Sequence, residues 1–271
     1  MTVLWPEEEI ARGLRNARWP GLRLERLATI DSTNSELMRR ARAGRLESVL
    51  LVAGEQTAGR GRLGRPWASR ADASLTFSLG LPLAPANWSG LSLAVGVGIA
   101  ERLHPAIRIK WPNDLWLCDG RGERKLAGIL VESANFGAAS YVVIGVGLNI
   151  AADAAQGVAA PAGWLQELLP GMVASQALAL FAPGLLEAVR AFETDGFAPF
   201  VGRFDARDLL RGREISMDDG SGATLHGTAC GVAESGALLV HTGSGMRELI
   251  GSEVSVRPLA GWSATRGGAA A

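Results

Sequence analysis

Glycine and arginine alternate through Gly59-Arg60-Gly61-Arg62-Leu63-Gly64-Arg65, and Pro66-Trp67 follows at once. Glycines at 59, 61 and 64 would let the main chain approach a ligand closely. The three arginines would offer donor forks to an anion, and Trp67 a flat stacking surface. The run formally satisfies GxGxxG. A dinucleotide fingerprint must open a helix, however, and Pro66-Trp67-Ala68-Ser69-Arg70 has no helical pattern, so the Rossmann reading is rejected. The plainer reading of the segment is a solvated basic loop in contact with RNA.

Lysine is scarce: of 27 basic residues only Lys110 and Lys125 are lysines, and the other 25 are arginine. A compact ammonium that reaches a single oxygen differs from a planar guanidinium fork, so the two exceptions call for a reason. Lys110 opens Lys110-Trp111-Pro112-Asn113-Asp114, where Pro112 ends a strand and leaves Asn113 and Asp114 in a loop suited to polar recognition or metal binding, or in an ordinary turn. Lys125 opens Lys125-Leu126-Ala127-Gly128-Ile129-Leu130-Val131-Glu132, an apolar strand in which Gly128 leaves space; a lysine so placed is otherwise a solvated gatekeeper. Gly145-Val146-Gly147-Leu148-Asn149 sets two glycines and an amide at the end of an apolar strand.

The elements that must position these residues follow from periodicity. A short helix is expected over 7–17, a strand over 22–30, then a helix from Leu37 to Ala43 with Thr33 and Glu36 at capping-box spacing and a stop at Gly44. Strands are expected at 49–54 and 74–80, flanking a long functional loop over 55–73. A buried helix over 91–103 precedes strands at 107–111, 115–117 and 126–132. The run from Tyr141 to Ile150 suits a central strand covered on both faces. Residues 151–163 are small and read as a mobile loop, and a helix covers 173–193. From Gly212 onward, short β-prone pieces at 214–217, 224–232, 238–241, 247–250 and 253–257 alternate with turn residues, as in a small barrel. The tail from Thr265 reads as disordered.

Composition narrows the class. The chain has 271 residues, of which 48% are hydrophobic and 20% charged, so most of it should fold. Basic and acidic residues balance at 27 each, which argues against a protein that mainly coats nucleic acid or acidic membrane. Cys118 and Cys230 lie far apart with no metal-ligand spacing, and Glu7-Glu8-Glu9 is the wrong charge for a signal peptide. A cytoplasmic protein with no membrane segment is expected.

Taken together, GRGRxGRxW, KWPND, KxxGILxE and GxGxN, with Asp31-Ser32-Thr33-Asn34 and Gln56, resemble the biotin protein ligases in kind and in order. The resemblance implies an α+β fold: a mixed sheet with flanking helices, similar to class II aminoacyl-tRNA synthetases, over residues 1–210, a small C-terminal SH3-like β-barrel over 211–260, and a tail over 261–271. It implies a ligase that joins biotin and ATP into biotinyl-5′-AMP and passes the biotinyl group to a lysine of a biotin carboxyl carrier domain of a carboxylase. It assigns catalysis to Lys125, Arg62 and Lys110. Biotin would be held by Ser32, Thr33, Asn34, Gln56, Arg60, Gly61, Arg62, Lys125 and Gly128. The nucleotide would be held by Trp67, Lys110, Asn113, Asp114, Asn149 and Trp164, with Asp114 on Mg²⁺. Thr33 has the further reading of a helix cap.

Some biotin protein ligases carry an N-terminal DNA-binding domain. About 20 residues before the first expected strand are too few for one, so no DNA partner is expected. A homodimer is left open, since relatives commonly pair through sheet edges. The nearest enzymatic alternative is a lipoate or octanoate protein ligase, and an alternative of another class is a non-catalytic ligand sensor or RNA-binding protein.

Overall fold

A computed structural model describes residues 10, 19, 21–137, 139–155, 161–218, 224–250 and 255–258. The expected helix over 7–17, apart from Ile10, and the tail lie outside the described residues, as do 156–160 of the expected mobile loop.

Seven strands build the main sheet: β1 (Arg23–Ile30), β2 (Val49–Gln56), β3 (Ser74–Pro82), β4 (Ile107–Lys110), β5 (Asp114–Asp119), β6 (Gly122–Phe136) and β7 (Ala139–Asn149). Their order is β1-β2-β3-β7-β6-β5-β4, with β1 parallel to β2 and every other neighbouring pair antiparallel. The apolar run of β7 therefore becomes a central strand, as its composition predicts. Helix α1 (Thr33–Arg42) packs on one face; α2 (Leu91–Leu103) and α3 (Ala174–Asp195) pack on the other.

Strand alternation divides the sheet's side chains between those faces. Val142, Ile144, Val146 and Leu148 of β7 join Leu75, Phe77 and Leu79 of β3, with α2 and α3, in the main core. Tyr141 and Val143 point the other way, to Leu37, Met38 and Ala41 of α1. The spacing of those three residues, i, i+1 and i+4, gives α1 one apolar stripe, so one helix covers only part of that face. Thr33 is not the cap of this helix: Ser32 is, in an extended conformation (φ −158°), accepting from Ser35 N at 3.4 Å.

A second sheet follows the short helix α4 (Val201–Asp205). Strands β8 (Glu214–Asp218), β9 (Thr224–Val232), β10 (Leu238–Thr242), β11 (Gly245–Leu249) and β12 (Ser255–Pro258) lie antiparallel in the order β11-β10-β9-β8-β12. Among the described residues it is an open sheet rather than the expected closed barrel. The reason is pairing: β12 bonds only to β8, so β11 and β12 remain at opposite edges, and the linking residues 251–254 lie outside the described set. Ile215, Ala229 and Val240 belong to the same buried cluster as α2 and α3, so apolar packing runs from one sheet into the other. Polar contacts also span the junction: Ile109 N donates to Arg207 O at 2.8 Å, and Trp111 Nε1 to Gly236 O at 3.1 Å.

Candidate active site

Where α1 begins, the sheet face it covers is left open. Along β7 the residues on this face run Tyr141, Val143, Gly145, Gly147, Asn149: two large apolar groups under the helix, two glycines, then an amide. Their register partners continue the face, Gly145 opposite Ser78 of β3 and Leu130 of β6, Gly147 opposite Thr76 and Gly128. Loss of side-chain volume in the middle of a sheet makes a depression, and a cavity of about 980 Å³ opens there. Its lining includes Ser32, Thr33, Asn34, Gln56, Arg60, Gly61, Arg62, Trp67, Lys110, Asn113, Asp114, Lys125, Gly128 and Asn149. Of the residues expected at the site, Trp164 alone is outside the lining.

One end of the cavity is neutral and fully hydrogen-bonded. Gln56 Oε1 accepts from Thr33 N at 2.8 Å and Thr33 Oγ1 at 3.0 Å; the Ser78 hydroxyl lies 2.7 Å from Thr33 Oγ1 and 2.5 Å from Asn34 Oδ1. Asn34 Nδ2 donates to Glu132 Oε2 at 2.9 Å and Leu130 O at 3.3 Å. Thr33, Asn34 and Ser78 are buried, so leaving any of these groups unpartnered would cost about 1–3 kcal/mol. Asn34 also explains Gly145: a Cβ there would stand 2.1 Å from Asn34 Oδ1.

The other end is cationic, and a β-bulge creates it. Asp114 pairs with Gly128 and Leu115 with Ala127, but Trp116 pairs with Lys125, so Leu126 is an extra residue on β6. In a regular strand Lys125, three positions from Gly128, would face the opposite side. The bulge restores it to the cavity face, where its Nζ meets Asp114 Oδ1 at 2.8 Å and lies 5.8 Å from the centre of the Trp67 ring. Arg62 NH1 donates to Asn113 Oδ1 at 3.2 Å, and Asn113 Nδ2 to Ile129 O at 2.7 Å. Burial pulls the Arg62 pKa below the usual arginine value, against the opposing field of Asp114, yet guanidinium remains charged throughout the physiological range. Lys110 Nζ donates to Val256 O at 2.8 Å, and Val256 also lines the cavity, so β12 of the second sheet reaches the site.

Two loops complete the walls. In the arginine loop, Trp67 N donates to Gly59 O at 2.9 Å and Gly61 N to Arg65 O at 2.7 Å. Arg62–Gly64 make only a 3₁₀ turn, with Leu63 at φ 55°, so no helix opens and the rejection of a dinucleotide loop holds. The Trp67 indole lies flush on the sheet: a Cβ on Gly147 would stand 2.2 Å from Trp67 Cε2, and one on Gly128 3.1 Å from Cζ3. On the far side, Lys125 N donates to Pro161 O at 2.7 Å and Gly163 N to Lys125 O at 2.9 Å, adding residues 161–163 beside β6. Asn149 Nδ2 braces this segment through Gly163 O at 3.0 Å. Trp164 continues it away from the cavity, its N–H held by Glu167 Oε1 at 3.0 Å, while Glu167 pairs with Arg124 at 3.1 Å.

Two residues that hold this end from behind its lining, Ser78 and the charged Glu132, escape the sequence reading. Both had a signal: Ser74, Thr76, Ser78 and Gly80 are small or polar at every second position of β3, and Glu132 stands at even spacing from Gly128. Among the described residues no group of three or more His, Cys, Asp or Glu could hold a metal ion, and no helix is long and apolar enough to cross a membrane.

Residues 27–149 match the biotin/lipoate A/B protein ligase family, and residues 211–257 match the biotin protein ligase C-terminal domain. The chain is 37% identical over 241 residues to the bifunctional ligase/repressor BirA of Escherichia coli, covering 85% of this chain and 73% of that protein. It is 34% identical over 241 residues to the biotin–[acetyl-CoA-carboxylase] ligase of Paracoccus denitrificans, covering 84% and 98%. The biotin protein ligase of Aquifex aeolicus, solved in complex with biotin and ATP, superposes with a TM-score of 0.70 at 26% identity, over 89% of this chain and 100% of that one. A glycine-floored cavity with one neutral and one cationic end, two matching family models and extended identity to named ligases agree: the chain belongs to the biotin protein ligases.

Proposed function

We propose that this chain activates biotin with ATP and transfers the biotinyl group to a lysine of a biotin carboxyl carrier domain. The observation that carries the reading is the polarity of the cavity, neutral donors and acceptors at Thr33, Asn34 and Gln56 and cations at Lys125 and Arg62, with a flat glycine floor between. A neutral ureido ring with a carboxylate tail matches that sequence of environments.

In the first step the biotin carboxylate attacks the α-phosphorus, the bond to the pyrophosphate oxygen breaks, and pyrophosphate leaves. Two like charges about 4 Å apart at an effective dielectric near 20 repel by roughly 4 kcal/mol. Lys125 and Arg62 offset that repulsion where charge develops. Asp114, paired with Lys125, holds the ammonium in place when substrates are absent. Asn113 holds Arg62, and Lys110 sits where the nucleotide would meet β12. Trp67 presents its outer face to the adenine, because its inner face is closed by the sheet. The bound nucleotide brings magnesium as part of the substrate: the lining offers only isolated carboxylates, and one such as Asp114 beside phosphate oxygens is the usual setting for that ion.

In the second step the acceptor amine attacks the acyl carbon, AMP departs, and the amine loses a proton. A free lysine pays roughly 4.6 kcal/mol for deprotonation at pH 7. The like charge of Lys110 would lower that cost, unless Lys110 serves only to bind phosphate, and the carboxylate of Asp114 would accept the proton. A role on DNA is not part of the reading: charges balance overall, and Arg39 and Arg40 of α1 are engaged with Asp31, Glu36 and Glu25. A cytoplasmic setting follows from the substrates. Pyrophosphate exchange dependent on biotin, followed by labelling of a carrier domain, is the expected result; exchange with lipoate but not biotin, or no exchange, would overturn it.

A further inference from the structure

Glu132 belongs to none of the roles above and stands just behind the cavity lining, yet it joins two of the cavity's walls. Its carboxylate accepts from Asn34 Nδ2 at 2.9 Å and from Arg60 NH2 at 3.0 and 3.2 Å. Asn34 stands at the start of α1 and Arg60 in the arginine loop, so one side chain on β6 joins elements that are remote in sequence. Alternation puts Glu132 on the cavity face with Gly128 and Leu130, opposite Val143.

We propose that Glu132 is a positioning residue that fixes the amide of Asn34 and tethers the arginine loop over the ligand, an inference that rests on the ligase reading for its effect on catalysis. The orientation argument is one of donors and acceptors. Asn34 Nδ2 faces two acceptors, Glu132 Oε2 and Leu130 O, while Oδ1 faces the Ser78 hydroxyl. Turning the amide over would set its oxygen against a carboxylate and a carbonyl, losing both bonds. Both amide hydrogens are thus spent, and Asn34 offers a ligand acceptor capacity alone. The tether argument is one of charge: the Arg60–Glu132 ion pair is 43% and 29% exposed at its two ends, and it is a tie from the arginine loop to the sheet beside the ligand. An ion pair so exposed is weak, which suits a loop that must open and close.

Two variants separate the functions. Glu132→Gln retains an acceptor for Asn34 but removes the charge facing Arg60; Glu132→Leu removes both. Trypsin cleaves after Arg60 and Arg62, the Arg65–Pro66 bond being resistant, so its rate in the loop reports the tether without any catalytic assay. For Glu132→Gln we expect cleavage and escape of biotinyl-adenylate to rise about threefold, as befits a half-exposed ion pair, with the KM for biotin unchanged. For Glu132→Leu we expect the same loosening and in addition a KM for biotin raised about tenfold, the loss of roughly one oriented hydrogen bond. Adding Glu132→Gln to Arg60→Ala should cause no further leakage, because the two residues act as one unit. Unchanged cleavage and leakage in Glu132→Gln, or full additivity with Arg60→Ala, would overturn the tether. An unchanged KM in a folded Glu132→Leu would overturn the amide role; should that variant not fold, Glu132→Ala combined with Asn34→Ala, tested for non-additive KM, decides it. If the wild type does not activate biotin, the ligase reading fails while the tryptic comparison still judges the tether.

Discussion

The two faces of β7 answer to different demands. Val142, Ile144, Val146 and Leu148 are buried and apolar along the whole strand, whereas the opposite face passes from Tyr141 and Val143 through Gly145 and Gly147 to Asn149. The first face gains its stability from area removed from water, at roughly 25 cal/mol per Å². The second gives up that area where the glycines lie and receives in exchange a floor flat enough for Trp67 and close enough for Asn34. One strand therefore carries both the core and the cavity, and changes to alternate residues should separate stability from chemistry.

The largest effect expected is on the core face. Ile144→Ala should cost up to about 5 kcal/mol in denaturant unfolding, with the affinity of the folded fraction for biotin unchanged. Loss of affinity ahead of unfolding would blur the division. On the other face, Lys125→Arg should lower biotin-dependent pyrophosphate exchange by about 100-fold, near 2.7 kcal/mol, with the melting temperature preserved, because a wide planar fork does not place one compact charge where the ammonium stands. Next comes Gly147→Ala. Its methyl group would displace the Trp67 ring, and we expect about tenfold weaker nucleotide binding by calorimetry, or roughly 1.4 kcal/mol, at little cost in stability.

The smallest effect concerns a polar group buried without the partners that the cavity network enjoys. Asp208, at the junction of the two sheets, has an Oδ2 with no hydrogen bond, and burial raises its pKa to about 6. Because the folded form then holds its proton more tightly than the unfolded chain, stability is fullest below the unfolded value near 3.8 and falls as pH rises to about 6. Asp208→Asn should flatten that slope and add about 1 kcal/mol at pH 7, a gain held below the full linkage value by relaxation of the site. Urea midpoints across that range would test it, and an unaltered slope would count against the assignment.

Much of this division was legible in the residues. The α2 boundaries at Leu91 and Leu103 match the apolar period, and the β7 run declared a central strand. The start of α1 was misplaced because Thr33 and Glu36 imitate a capping box while Ser32 supplies the cap and Thr33 turns to Gln56. Ser78 was hidden by small size among apolar neighbours, since its function depends on register with Gly145 across β3 and β7. The resemblance to a family brought most lining residues together by name, but it could not report that Asn149 braces residues 161–163 or that Lys110 reaches β12. Those contacts are long-range, and no local pattern encodes them.

The extra residue at Leu126 makes the reach of Lys125 a matter of pairing as well as of sequence. The strand counts in twos, and Lys125 is an odd number of steps from Gly128, so access to the cavity depends on a local slip of phase. A strand of the same sequence paired without the bulge would keep every signature side chain and turn the lysine toward the hydrophobic interior. The pairing that absorbs Leu126 is thus as much a part of the motif as its letters, because the letters alone do not decide which face of the sheet the lysine takes.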